Sequence, residues 1–101
     1  MIILEVGTKD YATDVVLVKK AMSQLESLLM IYNGYALGEP SSRFGWTFFQ
    51  MAVKPELRQG IESRFADMIR RYGWGKPDTK FTKFLGDYLK ARGCGVEVKP
   101  G

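Results

Sequence analysis

The sequence predicts an α+β fold, a small two-layer single domain ordered β-α-β-α-α-β with its helices packed on one face of a short sheet. Three observations carry this. Asp14 to Asn33 has one broad apolar stripe at helical spacing. Ile2–Val6 and Phe44–Val53 are rich in β-branched and aromatic residues. Gly, Pro and Ser separate the periodic stretches. The alternative is a mostly helical domain with marginal terminal strands.

In chain order, Ile2, Ile3, Leu4 and Val6 form a run too short for a helix, which predicts a strand buried on both faces and ended by Gly7. Asp10 is the expected N-cap of the central helix, with Thr13 or Asp14 as alternatives, since acids suit the positive end of a helix dipole. Val15, Val18, Met22, Leu25, Leu29 and Tyr32 follow at spacings of three and four, and Leu17, Ala21, Leu28 and Ile31 widen the stripe. So wide a face marks a core helix; a coiled-coil seam would be narrower and longer. Asn33-Gly34 is the expected stop.

Residues 34–42 read as loop, and Phe44–Val53 as a strand in which Gly45 marks a bulge or a close backbone approach. Pro55 opens a second helix whose stripe is Leu57, Ile61, Phe65, Met68 and Tyr72, with Gly73 as its stop. Gly60 weakens this helix by about 1 kcal/mol relative to alanine, which suggests another backbone lies close. Asp78 or Thr79 caps a third helix carrying Phe81, Phe84, Leu85, Tyr88 and Leu89, and Gly93 ends it. Val96 and Val98 then alternate with Glu97 in a short strand expected beside the first. The first strand-helix-strand unit has the form of a right-handed parallel crossover.

At 101 residues there is room for one core. The net charge of +4 is uneven. Residues 1–50 hold four bases and five acids; residues 51–101 hold eleven bases and six acids, so the basic character lies in the C-terminal half. The N-terminus lacks the basic lead of a signal peptide, and no apolar run reaches membrane-spanning length. With its single cysteine, Cys94, the chain is expected to be a soluble cytoplasmic protein with no membrane association.

Catalytic patterns are missing from the sequence. Without histidine it lacks the commonest general base and metal ligand, and Cys94 has no histidine to activate it. Gly75-Lys76 is not a phosphate-binding loop, because Arg70 stands where that motif needs glycine and Pro77 where it needs Ser or Thr. No cofactor or metal is expected, and the chain reads as non-enzymatic.

The leading candidate for function is the segment 70–84. Arg70, Arg71, Lys76, Lys80 and Lys83 interleave there with Tyr72, Trp74, Phe81 and Phe84. Bases attract phosphates or acidic side chains, and aromatic faces stack on unpaired nucleobases. The plainer reading puts Phe81, Phe84 and Tyr72 in the core and the two arginines at a helix C-terminus, where Asp67 can pair with either. A helix-turn-helix is disfavoured, since the connection from Gly73 to Asp78 is too long. The second candidate is the aromatic run Arg43 to Phe49. On an edge strand it would leave Trp46 and Phe48 or Phe49, with Tyr35, to anchor a protein partner.

The function these features predict is a non-catalytic interaction protein, of inhibitor or adaptor type. It would dock on an acidic or nucleic-acid-binding protein through Arg64, Arg70, Arg71, Trp74, Lys76, Lys80 and Lys83. Single-stranded nucleic-acid binding by the 70–84 segment is the alternative. Homodimerisation through the central helix or an edge strand is compatible with either.

Overall fold

The computed structural model describes residues 1–73 and 75–101. Among these residues, five strands and four helices follow in order: β1 (Ile2–Thr8), α1 (Tyr11–Leu29), β2 (Tyr35–Leu37), β3 (Ser41–Arg43), β4 (Trp46–Val53), α2 (Pro55–Arg64), α3 (Ala66–Arg70), α4 (Pro77–Ala91) and β5 (Val96–Pro100). The predicted α+β class and rough element order stand, with helices over one face of the sheet.

The sheet runs β2-β4-β1-β5, with β3 also pairing to β4, and every pairing is antiparallel. Since β1 and β2 both oppose β4, they are parallel to each other with β4 inserted between them. By the same logic β4 and β5 are parallel across β1. This is the ferredoxin-like, or split βαβ, connectivity. The expected crossover onto Phe44–Val53 is therefore corrected: α1 leads to β2, and the Phe44–Val53 segment pairs directly and antiparallel with β1. The last strand lies beside the first, as expected.

Period-two alternation gives the sheet two unlike faces. Leu4, Val6, Phe49, Met51, Val53 and Val96 are buried against Val18, Met22 and Leu25 of α1 and Phe84, Leu85 and Leu89 of α4. The other face carries Ile3, Glu5, Gln50, Ala52, Glu97 and Lys99, so β1 is buried on one face rather than two. Ile3 is 37% exposed.

Asp10 caps α1 as predicted, accepting from the Thr13 amide at 3.4 Å. The helix ends four residues before Asn33, at Leu29, because Met30 takes a left-handed conformation with φ of 56°. The buried Glu26 carboxylate then accepts from the Gly34 amide at 2.7 Å and turns the chain back toward the sheet. Tyr32, predicted on the helical stripe, is outside the helix and exposed.

The expected loop 34–42 contains two short strands. Leu37 opposes Met51 and Ser41 opposes Phe48, so residues 38–40 face only 49 and 50; the extra residue is a β-bulge. Gly45, predicted at a bulge or close approach, instead sits in the turn between β3 and β4. Phe44 and Gly45 both have positive φ, 52° and 79°, the mark of a two-residue type I′ turn. The predicted second helix divides at Phe65 into α2 and α3, and Met68 is exposed rather than in the stripe. Gly60 is closely approached as expected, but by the side chains of Ile31 and Leu29 rather than by backbone.

Candidate docking surface

Phe65 sets the geometry of the basic segment. Its ring packs on Phe84 and Tyr88 at centroid distances of 5.1 and 6.1 Å. Its backbone, at φ −113° and ψ 28°, is non-helical and separates α3 from α2. Further on, α4 starts with Pro77 in its first turn and Lys76 as N-cap. Asp78 and Thr79, the predicted caps, lie inside the first turn instead.

This route brings two of the predicted residues together and parts a third from them. Arg70 and Lys80 line one cleft of about 300 Å³ with Glu62, Ala66, Ile69, Gly75 and Pro77. Arg71 lies in a separate hollow with Met68 and Tyr72. Arg64, Lys76 and Lys83 are exposed and line neither. Trp74 lies outside the described residues.

The acids of the region have assigned partners. Arg70 pairs with Asp67 at 3.2 Å on the surface. Asp87 accepts a hydrogen bond from the Tyr72 hydroxyl. Burial first, then the hydrogen bond and charge of Asp87, push the Tyr72 phenol up to about 12. Asp78 pairs at 2.6 Å with Arg58, which also reaches Glu62 at 3.3 Å and lies over the Phe81 ring at 5.2 Å. Arg58 thus ties the start of α4 to α2. The sequence reading did not single it out; Glu62 four residues on was the available signal.

Phe81 and Phe84 are fully or almost fully buried, so neither offers a ring face to a ligand. Cys94 is buried at the exit of α4, where burial and the Asp14 charge push its thiol up. Among the described residues, no three His, Cys, Asp or Glu side chains are grouped to hold a metal ion.

The second candidate also changes. β4 lies inside the sheet, not at its edge, and Phe49 is buried, but among the described residues no helix covers the opposite sheet face. Trp46 and Phe48 stack there at 6.3 Å, with Lys9 over Trp46 at 5.0 Å and Arg43 over Phe48 at 4.8 Å. The fold and these surfaces define the class as an α+β domain of split βαβ connectivity with two side-chain clusters open to solvent. Compared with known proteins, the chain matches no family model, no curated protein and no solved structure.

Proposed function

We propose that this chain is a non-catalytic interaction protein, an inhibitor or adaptor, that docks on an acidic or nucleic-acid-binding protein. The docking surface is formed by α3 and the exposed side of α4. One observation carries the reading. Between residues 64 and 83 there are six bases and two acids, and both acids are already paired, Asp67 with Arg70 and Asp78 with Arg58. The field outside Arg64, Arg71, Lys76, Lys80 and Lys83 is therefore positive. A protein partner is favoured over free nucleic acid because Phe81 and Phe84 are committed to the core and so withdrawn from base stacking. A free buried thiol is consistent with action in the reducing cytoplasm.

The test is affinity capture with the wild-type chain and with the double variant Arg71→Glu/Lys80→Glu, alongside titration of labelled single-stranded DNA and RNA at low and near-physiological salt. The expected result is a specific acidic or nucleic-acid-binding protein that the double variant binds about tenfold or more weakly, with little oligonucleotide affinity. Tight, steeply salt-dependent binding of unrelated oligonucleotides would replace this reading with the nucleic-acid one. A partner indifferent to the charge reversal would refute the basic surface.

A further inference from the structure

Phe44 occupies the tip of the β3-β4 hairpin, with a relative exposure of 101% and φ of 52°. Both features are unfavourable for phenylalanine. A type I′ turn favours Asn, Asp or Gly at this position, and a bulky side chain at positive φ is strained. The exposed ring makes no contribution to the core. A residue that costs stability in both its backbone and its solvation suggests a role outside the fold.

Its surroundings say what kind of role. Arg43 and Lys9 flank the tip, held over Phe48 and Trp46. A Cβ built on Gly7 would come within 3.1 Å of Phe48 and 3.5 Å of Trp46, so these two rings rest against β1. With the strand beneath and cations above, they have little free face for a base. Of the acids on the same side of the sheet, Glu5 stands opposite Lys99 in the β1-β5 pairing, and Glu39 lines one hollow with Arg43. Phe44 projects fully into solvent, next to Arg43 in the chain and two residues from Trp46, the ring that Lys9 covers.

We infer that Phe44 is a docking anchor that inserts into an apolar pocket with an acidic rim on a partner protein, with Arg43 and Lys9 meeting the rim. Single aromatic anchors of this kind dominate the energetics of protein interfaces. The site is distinct from the basic C-terminal surface: β4 separates the hairpin from the start of α2 by about 25 Å at the usual rise per residue. The inference shares with the proposed function only the existence of a protein partner.

The experiment uses the full chain and the partner isolated on it by affinity capture. Phe44→Asn suits the turn and should leave the unfolding temperature unchanged or raised. It should weaken binding of the purified partner about 10- to 100-fold, the range for losing one buried aromatic side chain. Phe44→Trp should stay within a few-fold of wild type, and Lys9→Glu/Arg43→Glu should also weaken binding. A benzophenone crosslinker at position 44 should label apolar partner residues bordered by Asp or Glu. Phe44→Asn binding within twofold of wild type overturns the inference. So does labelling of a second copy of the chain, of no protein at all, or sedimentation with phosphatidylserine vesicles that Phe44→Asn abolishes. Arg71→Glu/Lys80→Glu, measured on the same partner, separates failure here from failure of the basic surface.

Discussion

Asp14 shows how a charged residue inside a helical pattern can be structural. Its carboxylate is buried and accepts hydrogen bonds from the Thr8 hydroxyl and, at 3.1 Å, from the Gly95 amide. It therefore joins the end of β1 to the entry of β5 from the first turn of α1. Asp14→Ala leaves both donors without that acceptor and should cost about 2–4 kcal/mol. Asp14→Asn, which keeps one acceptor oxygen, should cost less. Urea unfolding measures both, with an unchanged slope showing that the denatured state is unaltered. Tyr72 gives a pH prediction. Its folded-state pKa lies above its unfolded value of 10.0, so its contribution to stability is fully present below pH 10 and is lost as the pH rises toward about 12. The alkaline fall in unfolding midpoint over that window should shrink in Tyr72→Phe. Neither role was legible in the sequence. Asp14 stood out as a possible cap and Tyr72 as a stripe residue and a ring of the basic segment, because Gly95 lies 81 residues from the one and Asp87 15 from the other.

At the scale of elements, the hydrophobic patterns located both long helices and the two main strands, since burying one face imposes a period that can be read locally. Boundaries and breaks were less visible. The period of α2 continues through Phe65, yet packing on Phe84 and Tyr88 divides the helix there. The β2-β3 bulge has no period at all. Gly34 shows why the end of α1 is fixed by contact. A Cβ at that position would lie 2.6 Å from the Cβ of Leu57, an atom held by a fully buried side chain at the start of α2. Gly34→Ala should therefore lose about 1–3 kcal/mol through overpacking, despite the smaller conformational entropy of its unfolded chain. Thermal unfolding checks the sign: a rise in midpoint would mean that the α1-β2 connection yields more easily than this contact implies.

Across the whole molecule, charge and shape divide the surface into two regions. Six of the eleven bases of the C-terminal half fall between residues 64 and 83, while the aromatic hairpin stands at the far end of β4. The prediction at this scale is separability. Charge reversal at Arg71 and Lys80 should act on partner affinity with strong salt dependence, and loss of the Phe44 ring should act with little. Binding measured across a salt series with both variants and their combination checks it; the two losses should add if the surfaces engage independently.

The sequence by itself determined the α+β class, the single core, the central helix with its Asp10 cap, the pairing of the last strand with the first and the lopsided charge. Each of these depends on local period, local capping chemistry or composition. Tertiary structure alone decided that the Phe44–Val53 segment enters the sheet between β1 and β2 and antiparallel to both, that Arg70 and Lys80 share a cleft which Arg71 does not line, and that Phe44 projects while Phe49 is buried. The physical reason is the same throughout. A strand's periodicity fixes which residues share a face, but its neighbours and the packing of distant elements determine which face is covered.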